Sequence, residues 1–307
     1  MKDIVLLKEA LPYLRHHKKS TMVVKLGGEV AASPDALRSL AEDLSLLTHV
    51  GVRIVVVHGG GPQATEMSRR LGLEPVMVGG RRVTDEATLD VAKMVFAGKI
   101  NVDILSALRG QGVGAVGLSG VDGDILHAKK RPPTEVVDPE TGVKSLVDYG
   151  HVGDVTGVDT HLVTLLLENK YVPVISSLGS DGQGNILNIN ADTVASVIAK
   201  DLKAAKLIIL TGVPGLLKDK GDPKSLVSRI TTDEARAAMT SGGVSGGMLP
   251  KLKALVDAVE GGVERGHVLS GFAPGAILLE LFTSAGCGTL IAEPHDVSEI
   301  VDGGPRG

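Results

Sequence analysis

The chain has 307 residues, with 32 Lys and Arg against 36 Asp and Glu, for a formal charge of −4. A hydrophobic content of 43% suffices for a sizeable core and excludes intrinsic disorder. Three Phe, three Tyr and no Trp leave almost no stacking platform, and there is no basic excess, so a single-stranded nucleic-acid binder is excluded as well. The lone cysteine, Cys287, can close neither an intrachain disulfide nor a cysteine-based zinc cage, which points to a cytoplasmic setting.

The chain opens MKDIVLLKEALPYLRHHKK, an apolar stretch too short and too charged for a signal peptide or a membrane span, and no later run approaches ~20 apolar residues. Ile4, Leu7, Leu11 and Leu14 fall on one face of a helix over residues 1–20. A capping helix packed on its own domain and a helix docked on another subunit both fit this pattern. Thr21 to Leu26 reads as a first strand, ending at Gly27-Gly28. A helix follows, with Ser33 as its N-cap, Pro34 in its first turn, and Leu37, Leu40, Leu44 and Leu47 on one face. Ile54 to Val57 reads as a buried strand running into His58-Gly59-Gly60-Gly61, after which Pro62 opens a helix containing Met67 and Leu71. A third helix is expected over about 85–110 and a strand over 113–118. Residues 119–160, rich in Asp and Gly, read as hairpins at the rim of a sheet. The rhythm then resumes with a helix to Asn169, a strand at Val172 to Ser176, a helix from Ala191 and a strand at Leu207 to Leu210. Residues 213–231 read as an irregular insertion. A helix over about 247–260 precedes a last strand–helix–strand segment, and the polar tail from Pro294 reads as loose. Continuous apolar strands alternating with helices predict an α/β fold with a parallel sheet covered on both faces, in two lobes, 21–185 and 186–293.

Several motifs carry no chemistry where they stand. Gly112-Val-Gly-Ala-Val-Gly117 matches a dinucleotide fingerprint but runs from helix into strand, the reverse of what that fingerprint needs. Gly243-Val-Ser-Gly-Gly247 matches a nucleophile elbow but follows a helical stretch rather than a strand. No Walker A sequence occurs. What remains is phosphate chemistry on glycine loops. Lys25-Leu-Gly27-Gly28 ends one strand and His58-Gly-Gly60-Gly61 ends the next, each before a helix, where glycines allow close backbone approach and free N–H groups attract anions. A strand-end lysine is commonly a solvated surface charge, but beside two such loops Lys25 becomes a phosphate ligand. Asn188-Ile-Asn-Ala-Asp192 lines a helix entrance, as an N-cap or as a site. Lys251 stands in the first turn of a helix, where the macrodipole disfavours a cation. Arg82, in Gly-Arg-Arg-Val-Thr, offers a planar fork for a carboxylate.

Taken together and in order, VVKLGG, VVVHGGGPQ, GRRVTDEATLDVAKMVFAGKIN, GLSGVDGD, GHVGDV, PVISSLG, NINAD, GGMLPKL and LLELFTSAGCGTLI resemble the N-acetyl-L-glutamate kinases of the amino acid kinase superfamily, over residues 21–292. The resemblance implies an open, mainly parallel eight-stranded sheet sandwiched by helices. It also implies transfer of the γ-phosphoryl group of MgATP to the side-chain carboxylate of N-acetyl-L-glutamate, the second step towards arginine. By the same resemblance Lys25 and Lys251 stabilise the transferring group, and Asp192 orients both. Gly60, Gly61, Arg82 and Asn188 contact the acyl substrate, while Gly27, Gly28, Thr211 and Gly247 contact phosphate and nucleotide. Mg²⁺ would travel on ATP rather than in a protein cage. An acceptor already ionised at neutral pH needs no general base.

The N-terminal helix resembles that of the arginine-sensitive branch. That implies feedback inhibition by arginine, a homo-oligomer (dimer or hexamer), and an effector pocket at Tyr13, Lys206, Glu280 and Gly288. Two positions depart from the family pattern: Gly212 replaces the usual Asp of T-D-V-x-G, and Gly275 stands where the arginine-sensitive branch has His. Aspartate, glutamate or carbamate kinases, and a non-catalytic sensor on the same fold, are the alternatives. Arg82, Asp192 and the two lysines argue against them.

Overall fold

The computed structural model describes residues 12, 13, 15–137, 143–219, 221–283 and 285–294. The loose tail expected beyond Pro294 and most of the helix expected over 1–20 lie outside the described residues. Tyr13 and residues 15–17 are helical.

Eight runs of mainly aliphatic residues form strands: β1 (Thr21–Leu26), β2 (Arg53–His58), β3 (Ala115–Ser119), β4 (Val172–Ser176), β5 (Lys206–Thr211), β6 (Arg229–Thr231), β7 (Arg265–Ser270) and β8 (Thr289–Ala292). They make one sheet in the order β6-β8-β7-β5-β1-β2-β4-β3. All neighbours are parallel except β7 and β8, which run antiparallel. Parallel pairing forces each connection over a face of the sheet, so the central strands are covered twice. Met22 to Leu26 are all buried, which is why these strands read as continuous apolar runs.

Alternation along β1 divides the core. Met22, Val24 and Leu26 join one cluster, and Val23 joins the other. Helix α1 (Pro34–His49) covers the first face with Leu37, Leu40, Leu44 and Leu47, capped as expected by Ser33, whose Oγ accepts the Ala36 N–H at 3.3 Å. The long helix over 86–110 lies on the same side through Ile100, Ile104 and Leu108. Helices α4 (Ala191–Asp201) and α6 (Met248–Glu260) cover the second face, with Val194, Ile198, Leu252 and Leu255. Helices α2 (Gly61–Arg70) and α3 (His161–Glu168) precede α4 in sequence, α5 (Thr232–Thr240) lies between α4 and α6, and α7 (Ala276–Phe282) closes the series.

Three expectations need correction. The stretch 213–231 is not irregular throughout, because Arg229–Thr231 forms edge strand β6, too short for a period of two to register. Leu71 falls just past α2 and is exposed. The long helix is not α-helical throughout: Lys93–Ile100 is wound as a π-helix. The rim hairpins are present. Leu126–Lys130 pairs antiparallel with Gly153–Val158, and Thr134–Val137 with Lys144–Val147. The first pair joins Leu178–Ser180 and Ile186–Asn188 in a second, four-stranded sheet.

Candidate active site

Alternation places Lys25 on the Val23 face of β1, beneath the entrance of α4. That entrance is built by Asn190, the N-cap, whose side chain accepts the N–H groups of Asp192 at 2.8 Å and Thr193 at 3.2 Å. Asp192 is fixed in the first turn of α4, the end that favours a carboxylate. Its Oδ1 lies 2.7 Å from Lys25 Nζ and its Oδ2 lies 3.2 Å from Lys251 Nζ. One buried carboxylate therefore holds two ammonium groups, one from the sheet and one from α6. The contact accounts for a lysine in the first turn of α6, since Asp192 offsets the unfavourable dipole there. Burial pulls the Lys25 pKa below its ordinary value and Lys251 adds to the pull, while Asp192 opposes both. Burial would raise the Asp192 pKa, yet the two lysines override it and hold the carboxyl below the usual range.

The two glycine loops lie side by side because β1 and β2 are adjacent and in register, with Leu26 opposite His58. Their approach is close. A Cβ on Gly28 would sit 2.6 Å from Pro62 Cδ, and one on Gly60 would strike Phe96 and Ile100, so neither position admits a side chain. Gln63 Nε2 donates to the Gly28 carbonyl at 2.7 Å and ties the loops together. Behind them His58 is fully buried. Its Nδ1 donates to the Gly59 carbonyl at 2.9 Å and its Nε2 faces Asn101 Nδ2 at 3.2 Å, while burial lowers its pKa to about 4. The ring is neutral, with its proton on Nδ1. The sequence marks His58 only as the start of its glycine loop and leaves its pairing with Asn101 unread, because a buried polar pair has no periodic signature.

A cavity of about 510 Å³ opens over the lysines. Lys25, Gly27, Gly28, Thr211, Gly247 and Lys251 all line it, six of the positions expected at the phosphate and nucleotide end. Glu29 and Ser245 line it too and were not anticipated. Gly60, Gly61, Arg82 and Asn188 stand apart from this lining. Arg82 Nη2 donates to the Gly61 carbonyl at 2.7 Å and to Thr65 Oγ1, while its Nη1 is buried with no hydrogen-bond partner among the described residues. Asn188 Nδ2 donates to Thr84 Oγ1 at 3.3 Å. An unsatisfied guanidinium edge beside a glycine loop can accept a carboxylate.

At the far end of β5 a second polar group is gathered. Lys206 is fully buried and its pKa falls to about 7, chiefly by desolvation. Glu280 Oε1 accepts from His267 Nδ1 at 2.9 Å, and Oε2 accepts the N–H groups of Cys287 at 2.7 Å and Gly288 at 3.0 Å. Burial would raise the Glu280 pKa, but these donors bring it to about 2. Tyr13 packs edge-on against Phe282, which also meets the buried His17. Tyr13, Lys206, Glu280 and Gly288 are thus brought to one region. His17 and His267 belong there as well and were missed. As the protein stands, both Glu280 oxygens are engaged by the chain itself.

Two lysines converging on one carboxylate, under paired glycine loops at the carboxyl ends of parallel strands, form an arrangement able to bind and neutralise a phosphoryl group. The chain belongs to the amino acid kinase family, whose model matches residues 20–270. Within it the chain is similar to the acetylglutamate kinase of Methanothermobacter thermautotrophicus, 44% identical over 293 residues that make up 95% of this chain and 100% of the relative. The acetylglutamate kinase of Symbiobacterium thermophilum is 46% identical over 287 residues, 94% of this chain and 96% of the other. The resemblance read from the motifs is borne out. Among solved structures, an N-acetylglutamate synthase from Neisseria gonorrhoeae superposes with a TM-score of 0.79 at 29% identity, covering 94% of this chain. This chain spans 63% of the synthase's length. A carbamate kinase from Giardia (TM-score 0.64, 17% identity, 90% of this chain and 99% of that one) shares the fold.

Proposed function

We propose that the chain transfers the γ-phosphoryl group of ATP to the side-chain carboxylate of N-acetyl-L-glutamate, the second step of arginine biosynthesis. The observation that carries this reading is the Lys25–Asp192–Lys251 triad beside two glycine loops. The residues divide into an acyl-substrate lobe, 21–185, and a nucleotide lobe, 186–293, and the triad draws Lys25 from the first and Asp192 and Lys251 from the second.

The acceptor is an ionised carboxylate, so one of its oxygens attacks the γ-phosphorus directly. A P–O bond forms as the bond to the β-bridging oxygen breaks, ADP leaves, and no proton moves. Catalysis is then positioning and charge neutralisation. Lys25 and Lys251 neutralise the phosphoryl oxygens, and Asp192 holds both ammonium groups in place. Backbone N–H groups of Gly28, Gly60 and Gly61 meet phosphate and acceptor oxygens, while the Gly27 N–H donates to the Leu210 carbonyl at 2.9 Å and so fixes the loop to β5. The unpaired edge of Arg82 takes the substrate α-carboxylate, with Asn188 nearby. Among the described residues no group of three or more His, Cys, Asp or Glu side chains is gathered as a cage. The cavity does hold one carboxylate, Glu29, a donor set that fits Mg²⁺ keeping nucleotide oxygens and water as its main ligands. Bound to ATP, Mg²⁺ supplies further neutralisation of phosphate charge.

A coupled assay with N-acetylglutamate, glutamate, aspartate and carbamate as acceptors tests the reading. Turnover with N-acetylglutamate at least tenfold above the others is expected, and preference for another acceptor would overturn it.

We also infer that arginine inhibits the enzyme through the region of Tyr13, Lys206, Glu280 and Gly288, and that the protein is a homo-oligomer, dimeric or hexameric. Support comes from the clustering of these residues and from a second Neisseria synthase structure, solved with L-arginine, which superposes at TM-score 0.77 with 26% identity over 97% of this chain and 70% of that one. Lys206 is suited to the effector's α-carboxylate. Glu280 would have to exchange its internal donors for a guanidinium.

A further inference from the structure

Gly212 follows β5 on the cavity wall, at the position where this chain departs from the T-D-V-x-G pattern. A Cβ built there would collide with Glu29 Oε2 and would lie 3.6 Å from Glu29 Cδ. The Glu29 carboxylate therefore occupies the space in which a side chain at position 212 would begin. Glu29 belongs to the single helical turn Gly28–Ala31 that leaves the first glycine loop. It is the one carboxylate among the described residues that line the cavity, and its side chain makes no hydrogen bond or ion pair with any described residue. The lysines cannot be its purpose, because Asp192 already holds both.

An unpaired carboxylate on the wall of a polyphosphate site is unfavourable for the free nucleotide, since like charges repel across a short gap. With a divalent cation on the phosphates the sign reverses, and the same carboxylate becomes a ligand for the metal or for its water shell. We propose that Glu29 recognises the metal in the metal–nucleotide complex, and that Gly212 is small so that Glu29 can reach that place from the opposite loop. The inference rests on the kinase reading above and assigns to Glu29 the discrimination between MgATP and free ATP. Glu29 is exposed at the cavity, so its replacement leaves the core intact.

Calorimetric titration of the full chain with ATP, without acceptor so that no turnover occurs, reads this directly when run once in Mg²⁺ and once in EDTA. Glu29→Gln should lower the ratio of the two dissociation constants by about fivefold or more, by weakening the Mg²⁺ complex while leaving or strengthening free ATP. Mn²⁺ offers an independent signal: electron paramagnetic resonance of MnADP on the protein should change in Glu29→Gln. Gly212→Asp alone should impair MgATP binding by crowding Glu29, and Glu29→Ala with Gly212→Asp should recover it. A ratio within twofold of wild type in Glu29→Gln, or a double variant no better than Gly212→Asp, would overturn the inference while the kinase reading stands. Failure of the unaltered chain to bind ATP under either condition would overturn both.

Discussion

Asp43 Oδ2 accepts the backbone N–H of Ile277 at 3.3 Å, joining α1 to the start of α7 across 234 positions of sequence. Asp43 is buried, and α7 begins after Gly275 with no side-chain cap of its own, so a residue from another helix stands in for one. The same helix carries Glu280 three residues further on. The latch thus couples the cover of one face of the sheet to the polar region at the end of β5.

This latch sets a pH dependence. Desolvation raises the Asp43 pKa to about 6, above its value of 3.8 in the unfolded chain. Between those values the folded protein holds a proton that the unfolded chain has released, so this group's contribution to stability is full below about pH 4 and is lost as pH rises through about 6. Asp43→Asn should flatten the pH profile of Tm between pH 4 and 7 and raise Tm at pH 8 relative to pH 4.5. Differential scanning calorimetry at the two pH values checks it, and an unchanged profile would mean Asp43 is ionised throughout.

Loss of either lysine should act on the chemical step. Lys25→Ala or Lys251→Ala should lower kcat by about 10²-fold or more, as when other preorganised charge donors are removed. KM for both substrates should move less. Steady-state kinetics decides, and a Lys251→Ala enzyme within a few-fold of wild type would remove Lys251 from the site.

Arg82→Lys separates binding from chemistry. The charge stays but the fork is lost, and with it the edge left unpaired beside Gly61. KM for N-acetylglutamate should rise about tenfold or more while KM for ATP changes little. Equal effects on both would make Arg82 structural.

Arginine at millimolar concentration should inhibit the full chain. Deleting residues 1–18 should blunt that inhibition and reduce the oligomer, while much of kcat is retained. Initial rates with light scattering on the same samples check this. No inhibition of the full chain would sink the effector reading, and Gly275 marks where the departure from the arginine-sensitive pattern lies.

Much of this molecule is legible in its sequence for definable reasons. The strand Val172–Ser176 and the start of α4 at Ala191 are read without error, because fully buried strands and an Asn-capped helix leave strong local signals. Lys25 stands out because a charge at the end of an apolar strand has few local explanations. Glu29, Asn101 and the pairing role of His58 do not stand out. Each acts through a partner remote in sequence, Gly212 for the first and one another for the other two, and no window along the chain contains both members. Edge strand β6 is missed because three residues carry no period.

The π-wound segment shows the same kind of non-local constraint as a matter of phase. Ala92, Phe96, Ile100, Ile104 and Leu108 are all buried, and they recur every four residues. An ideal α-helix turns 100° per residue, so such a series would drift by about 160° between its first and last members and carry Leu108 round towards solvent. Wider turns advance less per residue, and Lys93–Ile100 absorbs the lag. The helix thereby keeps a straight apolar seam, and Asn101, the next residue, arrives facing His58 and the carbonyl of Val174, to which it donates at 2.9 Å. Removing one residue from that segment would let it rewind as an ordinary helix, and the seam before it and the amide after it could no longer both face the sheet.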